Sequence, residues 1–226
     1  MSDKKPMPSN LKLVLMSMVL HPDLKKDFKV DLGPLVQKFK LGKKIVGIKY
    51  GKDIKKGKVK KTTQGFYNSI TFTIQLKPKR EVSAKLCNDL VVHIAGLRGA
   101  HEAAMAARIL YSKIHKKGMI PDLPLDIRFK KTEIILMNSG YSSNMLINRA
   151  KLVEICTKKY KHTTVFDPNS YSGVKLYPAD KMAILIFRTG KIIVTGERSM
   201  PRLIDGYILI EKILRDNYNE IVDKSD

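Results

Sequence analysis

Apolar residues recur along the chain with two different spacings, one typical of strands and one typical of helices. Apolar, β-branched runs, several of which alternate with polar residues, are typical of strands with one buried face. They predict strands at 11–20, 45–50, 69–76, 82–94, 132–137 and 161–177. Apolar residues at helical spacing, in two cases behind a capping Asp or Asn, predict helices at 31–42, 100–116, 148–156 and 202–222. Residues 1–10 show neither period, and we expect a flexible tail there.

A strand pair in the C-terminal half is the strongest local signal. Two apolar runs flank the turn Thr189-Gly190-Lys191 within residues 183–196, which predicts a β-hairpin. Alternation places one set of its side chains on a single face: Ala183, Leu185, Phe187, Ile193 and Thr195. The hairpin contains no acidic residue, so it is either a buried pair of core strands or a sheet face that contacts something other than water.

The order of the predicted elements occurs twice. Residues 87–96 align with residues 187–196 over ten positions, and Arg98 and Arg198 then stand two residues after the shared glycine. Further upstream, Ser17 aligns with Asn138 near the end of the first predicted strand of each half. We therefore expect a duplicated strand–helix–strands–helix unit.

The two repeats differ in length because of one lysine-rich segment. Residues 51–65 hold six lysines and one acid, and we expect an exposed loop or hairpin tip there. With that insertion assigned to the first copy, the chain divides into an N-terminal repeat at 11–120 and a C-terminal repeat at 121–226.

Net charge narrows the class of partner. The chain has 43 Lys and Arg residues against 21 Asp and Glu, a formal net charge of +22. Such an excess favours a polyanion, with nucleic acid first and an anionic membrane surface second; a merely solubilising surface is the alternative. No apolar run reaches the about 18 residues of a membrane-spanning helix, so we expect none.

The sequence contains no motif for catalysis or for metal binding. Cys87 and Cys156 are too few for a disulfide framework and lack the spacing of zinc ligands. The five histidines show no ligand spacing, and neither a phosphate-binding glycine loop nor a paired-carboxylate arrangement occurs. We therefore expect a protein without enzymatic activity, metal or cofactor, in a reducing compartment.

One sheet and two helices in each repeat decide the expected architecture. Two helices can cover only one face of a sheet. Two repeats placed about a pseudo-twofold axis would form an α+β saddle, which is a curved antiparallel sheet with helices on its convex face. The uncovered concave face would be apolar on a strongly basic protein, which suits contact with a nucleic-acid groove.

This element order, closed by the segment Leu-Ile-Phe-Arg-Thr-Gly-Lys-Ile-Ile-Val-Thr-Gly at 185–196, resembles the TATA-box-binding protein family. The resemblance covers residues 11 to about 220; it is closest over 181–198 and weakest in the first repeat. It implies a saddle whose concave face enters a widened minor groove, with phenylalanine pairs wedged between base steps and paired asparagines at the centre. It also implies that the convex helices dock transcription initiation factors and RNA polymerase.

The resemblance assigns roles position by position in the C-terminal repeat. Phe187 stands at one wedge position, and Tyr171 stands at its partner, where the family has phenylalanine. Asn138 matches a central asparagine, and Thr195 matches a hydroxyl in the groove. The apolar floor is assigned to Ala183, Leu185 and Ile193.

The N-terminal repeat departs from the family pattern. Ser17 stands in place of the asparagine, Cys87 in place of the phenylalanine and Ala95 in place of the threonine. The second wedge of this repeat falls to Phe66 or Tyr67. Because a cysteine is a poor wedge, we expect the C-terminal repeat to kink DNA and the N-terminal repeat to do so weakly or to read a different sequence.

Polar and cationic residues accompany the predicted contact face. Arg98 and Arg198 begin loops at the rim of the sheet, and Lys191 lies in the hairpin turn. Each is expected either to contact a phosphate or to remain solvated. In the N-terminal repeat, alternation also places three polar residues on this face: Ser83, Lys85 and His93.

These features favour a TATA-box-binding-like general transcription initiation factor that binds and bends AT-rich double-stranded DNA through the minor groove. The alternative is a saddle-shaped scaffold with only non-specific DNA affinity that recruits transcription factors or RNA polymerase. A third class, an accessory domain of a nucleic-acid enzyme, is disfavoured because no catalytic domain is attached. The degenerate first repeat and the lysine insertion suggest a divergent lineage such as a large DNA virus, acting in the nucleus or in a cytoplasmic replication compartment.

Overall fold

A computed structural model describes the chain at residues 7–25, 27–59, 67–116, 118–121, 123–124 and 127–223. Its strands are β1 (Lys12–Pro22), β2 (Ile45–Tyr50), β3 (Ile54–Gly57), β4 (Ser69–Lys77), β5 (Arg80–Cys87), β6 (Val92–Leu97), β7 (Phe129–Ser142), β8 (Thr163–Val165), β9 (Val174–Tyr177), β10 (Ala183–Ile186) and β11 (Lys191–Glu197). Its helices are α1 (Leu32–Lys38), α2 (Ala100–Lys116), α3 (Arg149–Lys158), α4 (Met200–Asp216) and α5 (Tyr218–Ile221).

The chain forms two compact units. The first unit comprises residues 15–135, and the second unit comprises residues 1–14 together with 136–226. The boundaries lie within β1 and β7, whereas the repeats drawn from the sequence meet at 120 and 121. The two divisions differ because a compact unit collects residues that pack together, while a repeat follows the order of the chain.

In the first unit the strand order is β3-β2-β4-β5-β6-β1, and neighbouring strands are antiparallel. Both helices pack on the same face: the Phe39 ring, which follows α1, lies 5.0 Å from the ring of Phe72, and α2 packs against β4, β5 and β6. The largest side chains of that face are fully buried, among them Ile48, Ile70, Phe72, Ile74 and Leu86. The burial of this face alone supplies most of the hydrophobic stabilisation of the unit.

In the second unit the order is β7-β11-β10-β9-β8, again antiparallel. Helix α4 packs closely on the sheet, because a Cβ at Gly206 would lie 2.7 Å from Cγ1 of Val194 and 2.9 Å from the sulfur of Met182. The residues of the covered face are completely shielded from solvent: Ile184, Ile186, Ile192 and Val194.

The predicted duplication and the α+β class are confirmed. The order β2-β4-β5-β6-β1 in the first unit corresponds to β8-β9-β10-β11-β7 in the second. The additional strand is β3, and it lies inside the lysine-rich insertion 51–65. Of the two alternatives expected for this segment, a loop or a hairpin tip, the hairpin is confirmed, because residues 54–57 form the outer strand of a hairpin with β2.

Local signals predicted helix starts better than helix ends. The Asp31 carboxylate accepts a 2.9 Å hydrogen bond from the amide of Gly33, and the Asn148 amide oxygen accepts one of 3.1 Å from Lys151, as capping residues do. Helix α1 ends at Lys38, before the predicted stop at 42. The predicted helix at 202–222 is divided at residue 217 into α4 and α5.

Of residues 1–10, where we expect a flexible tail, the structure describes residues 7–10. The Ser9 amide donates to the Ser142 carbonyl at 2.8 Å, and the Ser142 amide donates to Oγ of Ser9 at 2.9 Å. Nδ2 of Asn144 also donates to the Met7 carbonyl at 2.7 Å. These hydrogen bonds attach the segment to the end of β7.

Candidate nucleic-acid interface

The hairpin of β10 and β11 has one covered face and one open face. We use the term open face for the side of each sheet opposite its helices. The predicted alternation is confirmed, because Ala183, Leu185, Phe187, Ile193 and Thr195 are all partly exposed while their sequence neighbours on the other face are buried. The register places Ala183 opposite Thr195 and Leu185 opposite Ile193. The hairpin is thus both core and surface, one face each.

An apolar strip extends from this hairpin across the neighbouring strands. Ile193 lies opposite Gly140 of β7 on one side, and Leu185 lies opposite Lys175 of β9 on the other. Lys175 in turn lies opposite Val165 of β8. With strands about 4.8 Å apart, the row of five residues spans about 19 Å. Because Gly140 has no side chain, this residue does not project from the open face at the β7 end of the strip.

Two aromatic rings stand at one end of the open face. Tyr171, in the loop before β9, and Phe187, just after β10, pack edge to face with ring centroids 5.8 Å apart. Gly173 permits this approach, since a Cβ there would lie 2.9 Å from Cε1 of Tyr171 and 3.1 Å from Cε1 of Phe187. Nζ of Lys175 lies 4.9 Å from the Tyr171 ring centroid, a cation–π distance. Both rings remain partly exposed.

The loop that carries Tyr171 is held by its own hydrogen bonds. The Asp167 carbonyl accepts from the Tyr171 amide at 2.9 Å. Hydrogen bonds from the Ser170 side chain and from neighbouring amides hold the pKa of Asp167 below its ordinary value. Arg149 of α3 donates to the carbonyl of Ser172. The aromatic pair is therefore positioned before any ligand arrives.

A polar pair lies on the same open face near β7. The Thr195 hydroxyl donates to Oδ1 of Asn138, and both side chains are partly exposed. This hydrogen bond orients the Asn138 amide and leaves its NH₂ group as a donor. The two residues that the resemblance places in the groove are thus brought into direct contact.

The corresponding residues of the first unit are more polar. Ser17 lies opposite Ala95, and Ala95 lies opposite Ser83. Cys87 occupies the position of Phe187, and burial together with Asp89 raises the pKa of its thiol. Positions 17, 95 and 87 of this unit therefore hold neither the Asn–Thr pair nor the phenylalanine of the second unit.

Tyr67 is the described candidate for the second wedge of the first unit. Tyr67 is 61% exposed and packs edge to face on Tyr50, with ring centroids 5.6 Å apart, beside Gly51. The alternative candidate, Phe66, lies outside the described residues. Position 87 carries no ring for Tyr67 to pair with, so the aromatic pair of the second unit has no equivalent at this position.

The rim cations are exposed as expected. Lys191 begins β11 opposite Ser142, on the same face as Ile193. Arg98 and Arg198 each follow a glycine of positive φ, Gly96 at +85° and Gly196 at +93°. These turns end the last strand of each unit before its long helix, and they leave both guanidinium groups accessible to a ligand.

Comparisons with known proteins show which proteins this chain resembles in sequence and in fold. The family model described as "Transcription factor TFIID (or TATA-binding protein, TBP)" matches residues 142–216. The structure of Methanococcus jannaschii TBP superposes with a TM-score of 0.63 at 15% identity, covering 92% of this chain and 99% of the archaeal chain. Residues 142–216 therefore match the TATA-binding protein family, and the chain has the fold of a TATA-binding protein. A curated relative, the "TATA-box-binding protein-like" protein of Acanthamoeba polyphaga mimivirus, is 24% identical over 217 residues.

The matches cover the two units to different extents. The mimivirus match covers 78% of this chain, and the chain spans 58% of that relative's length. The family model covers only the stretch from the end of β7 to the end of α4, all of it in the second unit. The fold match covers 92% of this chain and therefore extends over the first unit as well.

Sequence reasoning missed Lys175, which contacts Tyr171 and belongs to the open-face row. Alternation in Val174-Lys175-Leu176-Tyr177 was the available signal, because the buried residues are Val174 and Leu176. Within the described ranges, no three His, Cys, Asp or Glu side chains cluster as a metal site would require. No helix in this part of the chain is long and apolar enough to cross a membrane.

Proposed function

We propose that the chain is a general transcription initiation factor that binds AT-rich double-stranded DNA through the minor groove and bends it, acting by binding rather than by catalysis. The observation that carries this proposal is the pre-positioned pair of Tyr171 and Phe187 beside an open apolar strip. Large exposed apolar patches on monomers usually mark interaction sites, and the charge of +22 favours a polyanionic partner.

The chemistry of the open face matches that of the minor groove. A·T pairs present only acceptors there, whereas G·C pairs add the amino group of guanine. The Asn138 NH₂ group is a donor oriented by Thr195, so it complements A·T edges. Leu185 and Ile193 flank it with apolar surface that excludes water from the groove. Preference for AT-rich DNA follows from these contacts.

The aromatic pair supplies the bend. Inserting a ring between base steps costs a few kcal/mol for the partial unstacking, which apolar contact and the wrapping of bent DNA recover. Phe187 is anchored by a 3.0 Å hydrogen bond from its amide to the Lys191 carbonyl, and Tyr171 is held by its loop. A wedge whose backbone is already fixed loses little conformational entropy on insertion.

Phosphate contacts at the rim would set the position of the duplex. Lys191 and Arg198 are exposed beside the open face of the second unit. Each phosphate that they neutralise releases counterions and makes affinity fall with salt. These contacts fix orientation but carry no sequence information.

The helix-covered side of each unit is the proposed docking surface for general transcription factors and RNA polymerase. The apolar residues Ile204 and Ile208 of α4 are 42% and 58% exposed, which supports a protein contact there. The similarity to a mimivirus protein supports a viral origin. We propose that the chain acts in the nucleus or, if viral, in a cytoplasmic replication compartment.

The test is a bend and affinity measurement by fluorescence energy transfer on end-labelled AT-rich and GC-rich duplexes. Phe187→Ala and Tyr171→Ala should each reduce the bend and lower affinity for the AT-rich duplex about tenfold or more, because each removes part of the wedge. Ile208→Ala, which removes an exposed apolar side chain from a helix, is the matched control and should change neither.

A scaffold function is the second candidate, and the polar open face of the first unit favours it. In that case the wild-type chain would bind both duplexes equally, without bending them, and neither aromatic substitution would matter. That result would contradict the initiation-factor proposal.

A further inference from the structure

The inserted strand β3 changes the open face of the first unit. It joins the sheet outside β2, whereas β8 is the outermost strand of the second unit among the described residues. The register places Lys55 of β3 opposite Lys49 of β2, and Lys49 opposite Thr71 of β4. Since Ile48 and Phe72 are fully buried on the covered face, these three side chains lie on the open face.

The row continues across the next two strands. Thr71 lies opposite Lys85 of β5, and Lys85 lies opposite His93 of β6. Lys55, Lys49, Lys85 and His93 therefore line one row that crosses five adjacent strands, with Thr71 between them. At about 4.8 Å per strand the row is about 19 Å long. The corresponding row of the second unit is largely apolar.

Positively charged and titratable side chains face one another along this row. Like charges directly opposite one another across strands are destabilising. Lys49 is only 4% exposed, and burial together with the charge of Lys55 lowers its pKa. Burial and Lys85 likewise lower the pKa of His93. An anion over this row would be attracted by the exposed Lys55 and by the half-buried Lys85.

The backbone that follows β3 lies on top of the open face at the outer edge of the sheet. Oγ1 of Thr73 in β4 donates to the Lys58 carbonyl at 2.7 Å, and Nζ of Lys58 lies 2.9 Å from Oε1 of Glu81 in β5. A Cβ at Gly47 of β2 would collide with that carbonyl. Residue 58 therefore crosses the open face over β2, so this edge cannot lie flat against the floor of a groove.

We propose that the open face of the first unit binds the phosphate backbone of duplex DNA through the accessible lysines of this row, Lys55 and Lys85, and not the edges of the bases. Thr71 and His93 add hydrogen-bond donors in the same row. The inference rests on the proposed function for the presence of DNA. It assigns the first unit a share of the affinity and of its salt dependence, with no sequence preference.

The test compares two double variants of the full chain. Lys55→Gln with Lys85→Gln removes two charges from the row. Lys56→Gln with Lys116→Gln is the matched control, because Lys56 follows Lys55 in β3 but lies opposite Ile48, on the other face, and Lys116 lies on α2. Affinity for AT-rich and GC-rich duplexes is measured by fluorescence anisotropy across a salt series, and thermal unfolding checks that each variant folds.

If the row binds phosphates, the first variant reduces the slope of log K against log [salt] by about 0.9 for each phosphate that it no longer neutralises, equally on both duplexes. An unchanged slope, or an equal reduction in the control, overturns the inference. Phe187→Ala reports separately on the proposed function through the bend. A reduced slope in the lysine variant with no bend in the wild type would overturn the initiation-factor proposal and support the phosphate-binding row.

Discussion

The two units bury nearly the same kind of face and expose different ones. On the helix side, both present fully buried Ile, Val, Leu or Phe residues to their helices. On the open side, the pair Leu185 and Ile193 in the second unit corresponds to the pair Lys85 and His93 in the first. Helix packing constrains one face of each sheet, while the other face is free to diverge with its ligand. The difference therefore bears on function more than on fold.

The two units also differ at the glycine turn that ends β6 in the first unit and β11 in the second. Gly96 and Gly196 hold equivalent positions with similar positive φ, but a Cβ at Gly196 would collide with the Lys181 carbonyl, while a Cβ at Gly96 would meet nothing within 4 Å. We expect Gly196→Ala to lower the free energy of unfolding by about 4 kcal/mol. Gly96→Ala should cost only about 1 kcal/mol, the left-handed backbone cost. Urea unfolding of the full chain measures both losses. Equal losses would contradict the prediction that contact with the Lys181 carbonyl makes the change at Gly196 more costly.

The next largest effect concerns the long helix of each unit. Nε and Nη2 of Arg80 donate to the two carboxylate oxygens of Glu102 at 3.1 and 2.6 Å, and the side chains are only 19% and 11% exposed. Arg202 of α4 stands at the position of Glu102. Its side chain is exposed and lies 3.5 Å from Glu197. Glu102→Gln should cost about 3 kcal/mol because it leaves Arg80 without its counterion, whereas Arg202→Gln should cost less than about 0.5 kcal/mol. Urea unfolding measures both losses, and a cost of less than about 1 kcal/mol for Glu102→Gln would contradict the assignment of this ion pair to the stability of the unit.

The same ion pair predicts a pH dependence for the first unit. Hydrogen bonding to Arg80 holds the pKa of Glu102 below the ordinary 4.5, against the opposing effect of burial. A depressed folded-state pKa stabilises the fold above the unfolded value and loses that contribution as the pH falls below 4.5 through the folded value. Unfolding curves between about pH 7 and about pH 3 should show this loss in the wild type and not in Glu102→Gln. A similar acid sensitivity in the variant would assign it to other groups.

The smallest effect is expected at the polar pair of the second unit. Thr195→Val keeps the shape of the side chain but removes the hydrogen bond to Asn138, so it should cost about 1 kcal/mol of stability. Ala95→Thr, the reciprocal change at the exposed equivalent position, should stay within about 0.5 kcal/mol. Thermal unfolding measures both. A silent Thr195→Val would mean that Asn138 is oriented without the hydroxyl.

Local patterns predicted most of the fold. The alternation in 183–196 identified both faces of the hairpin because the period of a strand depends only on the backbone. Asp31 and Asn148 marked their helix starts because an N-cap is satisfied within a few residues. The break at Asn217 was not predictable in this way: its side chain donates to the Ile213 carbonyl at 2.7 Å and accepts from Nζ of Lys159, which is distant in sequence.

The sequence by itself determined the duplicated topology, the face on which Phe187 and Thr195 lie, and the basic charge, since these depend on period, order and composition. Only the tertiary structure placed Lys55 opposite Lys49 and carried residue 58 across Gly47. Strand register and chain crossings arise from partners far apart in sequence, and a run of lysines carries no information about which of them will share a face. The sequence predicted an exposed loop or hairpin tip for the lysine-rich segment, and strand pairing with β2 made residues 54–57 part of the sheet.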